Sequence, residues 1–372
     1  MRANAAVLDE VNGTLHRRPV SIEDLRSHEV LVRMAGVGIC HTDLTAMSGG
    51  VPLRFPTVLG HEGAGVVVAT GPDSQELSVG DHVVLSFDSC RDCVKCRRGR
   101  PAYCARFAAL NYGGLRPDGT ATMRDAHAGA VHGNWFGQSS FSTLAVASTR
   151  NAVKVPVDVP LELLGPLGCG IQTGAGAVME VMRPESGTSI AVFGAGPVGL
   201  SAVMAAVVAG CTSVIAVDPS PQRRALAEAL GATAVVDPEG HPRTAKHIRE
   251  VAGGGVDYSV DTVSTESVIQ HALAVLDSPG TCVTLGLRGQ KNPVAIDQSH
   301  LLMGRTLTGV IEGDVDPHLF VPRLIDLWRE GRFPFDKMIT TYPFAQIGTA
   351  IADAREGRVA KAVLTFEEEI SE

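Results

Sequence analysis

No long apolar run is present in the 372-residue sequence. The longest stretch, Val198 to Ala209, covers only part of a bilayer, and Gly210 closes it as a helix end would, so a buried helix is expected and a membrane association is not. Nothing at the start resembles an export leader, because Met1-Arg2-Ala3-Asn4-Ala5-Ala6-Val7-Leu8 meets Asp9 and Glu10 after too few apolar residues. A cytoplasmic protein is therefore expected. Positive charge is in deficit as well: 32 basic against 40 acidic residues give a net charge of -8, spread along the chain. That excludes the polycationic surface needed to neutralise a phosphate backbone, and with it nucleic acid as a partner. Repeats and low-complexity tracts are missing too. What remains, 45% hydrophobic residues, 19% charged and 41 glycines, describes a compact globular protein rich in tight turns. The length is too great for one ordinary core and fits two domains.

Cysteine, by contrast, is plentiful and clustered. Of the eight, Cys90, Cys93, Cys96 and Cys104 fall within fifteen residues, while Cys40, Cys169, Cys211 and Cys282 are scattered. Without an export signal such clustering points to metal rather than disulfides. The spacing Cys90-x2-Cys93-x2-Cys96-x7-Cys104 lets one loop wrap a tetrahedral zinc ion and leave no vacant position. Lys95, Arg97, Arg98 and Arg100 lie beside it, where positive charge favours thiolates. An iron–sulfur cluster uses similar runs, but nothing else in the chain points to electron transfer.

From Ser189 the pattern alternates short apolar strands with helices: strand 189–193, helix 197–209, strand 213–217, helix 221–230, strand 234–236, helix 244–252, strand 256–260, helix 265–276 and strand 281–286. This series implies a doubly wound parallel sheet over about residues 171–311. Residues 1–170 read as mainly β, with strands at 30–34 and 66–68 between glycine-marked turns. After the sheet, a helix over 317–330 and a strand over 360–366 form a tail too short to stand alone, so residues 312–372 are expected to pack back on the N-terminal half. Directly after the first strand of the series runs Gly194-Ala195-Gly196-Pro197-Val198-Gly199. There the glycines permit a tight turn and close approach of a pyrophosphate to the backbone and the helix N-terminus. Asp218 follows Gly199 by nineteen residues, at the end of the next strand, where a carboxylate takes the ribose hydroxyls of NAD and repels the extra phosphate of NADP. Arg223 and Arg224 stand nearby and could answer a phosphate. NAD is favoured.

Three isolated residues of ligand type remain: Cys40 in Gly38-Ile39-Cys40-His41-Thr42-Asp43, His61 in Gly60-His61-Glu62-Gly63, and Cys169 in Gly168-Cys169-Gly170. Taken singly, a buried cysteine is more often a small core residue than a ligand. These segments, the four-cysteine lobe and the glycine-rich turn, in this order over essentially the whole chain, resemble the zinc-containing medium-chain alcohol dehydrogenases. The resemblance implies a GroES-like catalytic domain over 1–170 with a structural zinc lobe at 86–106, a Rossmann cofactor domain over 171–311, and a 312–372 segment returning to the catalytic domain. It implies two zinc ions per subunit, the second held by Cys40, His61 and Cys169 with one position open to the alcohol. Glu62 matches a carboxylate that approaches this zinc, or else is a salt-bridge partner beside it. Asp43 matches the residue that orients the ligand histidine. Thr42 matches the hydroxyl that accepts the alcohol proton, a position that could also cap a helix. His41 matches a pyrophosphate contact. Thr173 and Lys361 match contacts to nicotinamide or pyrophosphate, although a lysine so near the end could simply be solvated. Thr45 departs from the pattern, since better-known members relay the proton to a histidine there.

The stretch Trp135-Phe136-Gly137-Gln138-Ser139-Ser140-Phe141, with Phe333-Pro334-Phe335-Asp336-Lys337, resembles the aryl and allylic branch that includes benzyl alcohol and geraniol dehydrogenases. By position Trp135, Phe136, Leu287 and Ile311 are expected to line an apolar substrate pocket, unless the aromatics belong to the core. The expected reaction is oxidation of a primary aromatic or allylic alcohol to its aldehyde by hydride transfer to NAD. The alternatives are a thiol-dependent formaldehyde dehydrogenase of the same family and a zinc-stabilised binding protein without turnover. Family likeness implies a homodimer or homotetramer paired through sheet edges of the cofactor domain.

Overall fold

The computed structural model describes residues 1–366 apart from 75, 128, 242 and 290. The chain divides into two compact units, the first comprising Met1–Cys169, Asp316–Arg323 and Ile339–Glu372, the second Gly170–Val315 and Leu324–Met338. The division after Cys169 lies one residue from the expected boundary. The tail departs from expectation, because it does not return whole to the first unit and residues 324–338 belong to the second. The helix Pro317–Arg329 is the reason. Its apolar residues recur at helical spacing as Phe320, Val321, Leu324 and Ile325, all buried, so the helix is committed along its length and is divided between the units.

The first unit is mainly β. One sheet orders its strands as Thr57–Val58, Arg2–Leu8, Leu15–Ile22, Met123–Asp125 and Gly129–Val131. A second runs Ala152–Val155, His82–Leu85, Gly63–Thr70, Glu29–Gly38, Lys361–Thr365 and Ile339–Pro343, with Leu144–Ser148 also paired to Glu29–Gly38. The long strand Glu29–Gly38 is buried over most of its length, and its register against Gly63–Thr70 sets Val37 opposite Gly63. This pairing carries Gly38 to the backbone of Glu62, to whose carbonyl it donates at 2.9 Å. The segments containing Cys40 and His61 are thus brought together by sheet register.

The second unit holds six strands in the order Ala234–Val236, Ser213–Val217, Ser189–Phe193, Val256–Asp261, Leu276–Thr284 and Arg305–Gly309, every pair parallel. Numbered along the chain this is 3-2-1-4-5-6, the dinucleotide-binding order. The central strands Ser189–Phe193 and Ser213–Val217 are apolar and buried over four consecutive residues each, as helices on either side demand. The helix Pro197–Ala209 ends at Gly210, whose φ of +87° is the left-handed cap expected there. Several elements are not legible in the sequence, among them the helix Gln298–Leu302. The edge strand Arg305–Gly309 reads as polar sequence, and the helix Gly170–Gly176, running on into a wider-wound turn at Ala177–Met182, is hidden by its glycines. Among the described residues, no helix is long and apolar enough to cross a membrane.

Candidate active site

The short helix His41–Met47 begins directly after Cys40, which occupies its N-cap, so Thr42 stands inside the helix and is not its cap. From the first turn Asp43 points inward and is fully buried. Its Oδ2 accepts from the backbone N–H of Cys40 at 3.3 Å, while Oδ1 accepts from Gly60 N at 3.2 Å and lies 2.8 Å from His61 Nδ1. One carboxylate therefore ties the Cys40 segment to the His61 segment and fixes the imidazole with Nδ1 as the protonated nitrogen. Gln138 secures the same segment from the other side, donating to the His61 carbonyl at 2.9 Å and accepting from Gly63 N at 3.1 Å.

His61 Nε2 is then left buried with no hydrogen-bond partner, although an orphaned nitrogen in this position is costly. Around it stand Cys40, Cys169 and Glu62, whose ligand-type atoms lie within 4.8 Å of one another and of the imidazole. The Cys169 thiol, together with the charges of His61 and Lys361, holds the Cys40 thiol well below its usual range against the effect of burial. Burial would lower the His61 pKa, but Asp43 and Cys40 outweigh it and raise it well above the ordinary value. Two cysteine sulfurs and one imidazole whose Nε2 has no other partner fit a zinc ion.

Glu62 is fully buried, and burial pushes its carboxyl up to about 7 despite an ion pair with Lys361. Its space is provided by Gly38, where a Cβ would sit 1.9 Å from Glu62 Oε2. Lys361 Nζ also donates to the Ile39 carbonyl at 3.0 Å and is itself buried. The lysine is therefore not solvated, and its charge is committed within the first unit beside Glu62 and Cys40. Burial opposes the Lys361 charge, but Glu62 and Cys40 outweigh this and raise its pKa.

Trp135 and Phe136 are buried against the His61 segment. Trp135 is 1% exposed and its indole N–H donates to Asp43 Oδ1 at 3.0 Å. Phe136 stacks on the His61 ring, with centroids 4.4 Å apart and planes at 22°. Tyr112 and Phe107 pack on Phe136 in turn, and sequence reasoning missed both because nothing in their local pattern separates them from ordinary core. Of the other residues expected at the site, Thr42 is half-buried and His41 exposed in the first unit. Thr173 is buried in the second, whereas Leu287 and Ile311 are exposed there.

In the second unit the glycine-rich turn has the required geometry. Gly194 has a φ of +92°, and a Cβ on Gly199 would lie 1.8 Å from the Gly194 carbonyl oxygen. A Cβ on Gly196 would meet nothing within 4 Å, so the backbone there faces open space, as a pyrophosphate cradle must. Asp218 braces the turn from the next strand, accepting from Ala195 N and Ser220 N, both at 2.8 Å. Arg224 is turned onto the Asp218 carbonyl and paired with Asp237, and Arg223 reaches only to 3.9 Å from Asp218.

The four-cysteine lobe is equally well formed. Sγ–Sγ distances of 3.4 Å for Cys104 to Cys90, 3.5 Å for Cys93 to Cys96 and 3.9 Å for Cys90 to Cys96 bracket the roughly 3.8 Å edge of a tetrahedron with zinc–sulfur bonds near 2.3 Å. The thiolates are served by backbone N–H groups of Cys90, Cys93, Ala105 and Arg106 at 3.3–3.5 Å. The flanking cations do less than expected, since Arg97 binds Asp92 and Arg100 lies over the Tyr103 ring. Backbone N–H groups of Ala105 and Cys96 draw Cys93 down to about 6, whereas burial and the neighbouring thiols push Cys96 up to about 12. Four thiolates cannot coexist here without a cation to balance them.

Comparison with known proteins places the chain. Residues 26–157 match the model of the alcohol dehydrogenase GroES-like domain, and residues 197–328 that of the zinc-binding dehydrogenases. The chain belongs to the zinc-binding alcohol dehydrogenase family. It is 45% identical to geraniol dehydrogenase of Castellaniella defragrans over 98% of both chains. Among solved structures it matches an alcohol dehydrogenase zinc-binding domain protein from Burkholderia ambifaria at 45% identity and TM-score 0.96, covering 99% of this chain and 100% of that one. The benzyl alcohol dehydrogenase of Acinetobacter calcoaceticus matches at 38% identity and TM-score 0.94, covering 98% and 99%. The protein is thus a zinc- and nicotinamide-dependent alcohol dehydrogenase, and its substrate is a small-molecule alcohol.

Proposed function

We propose that this alcohol dehydrogenase oxidises a primary allylic or aromatic alcohol to the aldehyde with NAD as hydride acceptor, using Cys40, His61 and Cys169 as ligands of a catalytic zinc. The buried cluster of these three residues, with His61 Nε2 left without a partner, carries the reading. Zinc in such a site is a Lewis acid that lowers the pKa of an alcohol, and the nicotinamide accepts the hydride. The chain's own groups do the rest. Asp43 holds the His61 tautomer, and Thr42 Oγ takes the hydroxyl proton. Thr45, in place of a histidine, offers no basic nitrogen for passing that proton on. The choice of an allylic or aromatic alcohol rests on the kinship with geraniol and benzyl alcohol dehydrogenases. NAD is favoured over NADP because Asp218 presents a carboxylate at the end of the second strand while Arg224 is committed to the Asp218 carbonyl and to Asp237. The same reading takes the chain as a cytoplasmic homodimer or homotetramer. The strand Arg305–Gly309 ends its sheet unpaired on one side, and Leu302 and Met303 beside it are well exposed, which suits pairing between copies.

A panel of alcohols assayed with NAD and with NADP tests this. Steady NADH formation with geraniol or benzyl alcohol is expected, together with two zinc ions per chain. Turnover only with formaldehyde plus a thiol, or full turnover by a Cys40→Ser variant, would refute it.

A further inference from the structure

Asp43 carries one more hydrogen bond than its role toward His61 requires. Besides the imidazole and the two backbone N–H groups, its Oδ1 accepts from Trp135 Nε1 at 3.0 Å, between side chains closed to solvent. An indole N–H buried this deeply has no water to turn to, so losing the bond leaves both donor and acceptor short. The next residue is equally constrained. Phe136 holds a φ of +51°, a conformation uncommon for a bulky non-glycine side chain, and with it sets its ring parallel to the imidazole. Trp135, Tyr112 and Phe107 meet it edge-on, with ring centroids 5.2, 5.5 and 6.4 Å away. Gln138, two residues on, fixes the His61 carbonyl. One turn of chain therefore grips the histidine through its carboxylate partner, its ring face and its backbone.

We infer that Trp135 and Phe136 are positioning residues for the metal site: Trp135 fixes the carboxylate that orients His61, and Phe136 fixes the plane of the imidazole. This rests on the reading of Cys40, His61 and Cys169 as zinc ligands. Side chains that aim a ligand's outer hydrogen bond commonly change metal affinity by 10–100-fold when replaced. Trp135 acts one bond further out, so the lower end applies.

The second tryptophan supplies a matched control, because Trp328, in the second unit, also donates its indole N–H to a carboxylate, Asp336 Oδ1 at 2.9 Å. The release of zinc from the loaded protein to a chromogenic chelator, and the visible bands of protein carrying cobalt in the catalytic position, are compared for wild type, Trp135→Phe and Trp328→Phe. About tenfold faster release of one zinc and displaced cobalt bands are expected for Trp135→Phe, with neither change in Trp328→Phe. Release rates and cobalt bands of Trp135→Phe equal to wild type would overturn the inference. Should wild type itself hold only the lobe zinc, the ligand reading fails instead. If Trp135→Phe does not fold, ultraviolet resonance Raman of the Trp328→Phe protein decides, since Trp135 is then its sole indole: a band of a strongly hydrogen-bonded N–H supports the inference, and a free N–H rejects it.

Discussion

Lys361 and Glu62 form a fully buried ion pair, the lysine coming from the last strand and the glutamate from the segment that carries His61. Removing one partner of such a pair leaves a charge with neither water nor counter-ion, at about 3–5 kcal/mol. Lys361→Met should therefore lower stability to urea by that order at pH 8. The double variant Lys361→Met/Glu62→Gln should recover most of the loss, because no net charge is left buried. Equal loss in single and double variants would show that lysine packing, rather than charge pairing, is what matters.

Gly196 and Gly199 separate two requirements that a single motif conceals. An alanine at 199 meets a backbone oxygen that cannot yield, so helix and turn must part, at a cost of about 1–3 kcal/mol or more. An alanine at 196 meets nothing within the protein. Gly199→Ala should thus lose both stability and NADH binding. Gly196→Ala should melt near wild type yet bind NADH at least tenfold more weakly, because its methyl group enters the space reserved for phosphate. Thermal melts with NADH fluorescence titration distinguish the two, and unchanged binding by Gly196→Ala would remove the turn from the cofactor site.

Much of this was readable before any coordinates. Cys90, Cys93, Cys96 and Cys104 lie on one loop, so spacing alone dictates their geometry, and the helix starting at Pro197 follows from a glycine turn behind an apolar strand. The catalytic cluster is different in kind. Cys40 and His61 meet because of strand register between Glu29–Gly38 and Gly63–Thr70, a long-range property that no local pattern encodes, so family likeness had to join them. Trp135 stays open to two readings in the sequence for a related reason. An aromatic beside a site can be wall or brace, and only the 3.0 Å bond to Asp43 tells which. The exposed strand Arg305–Gly309 escaped because an edge strand carries little apolar alternation.

Asp218 does two jobs, and a conservative change should divide them. Its carboxylate braces Ala195 N and Ser220 N, and its charge stands where an extra ribose phosphate would come. Asp218→Asn keeps an acceptor for one of these N–H groups but drops the charge. The ratio of kcat/KM for NAD over NADP is therefore expected to fall at least tenfold, with some loss of melting temperature from the N–H group left without an acceptor. A ratio held at the wild-type value would assign cofactor choice to residues other than Asp218.

The two metal sites should part company on chelation. In the lobe only Cys104 is buried, whereas in the catalytic cluster only Cys40 is more than marginally exposed and His61 and Glu62 are fully enclosed. A thiol reagent or chelator therefore reaches the lobe first. Losing that zinc leaves four crowded thiols around backbone N–H groups that no longer face thiolates, so the segment from Cys90 to Cys104 should unfold locally while the sheets persist. Stepwise titration with a mercurial, following zinc release by a chromogenic chelator, should show a first ion leaving with about four thiols titrated. Cleavage by trypsin at Lys95, Arg97 or Arg98 should then accelerate, and turnover should outlast this step. If activity instead vanishes in proportion to the first ion released, the more accessible zinc is the catalytic one and the order argued from burial is wrong.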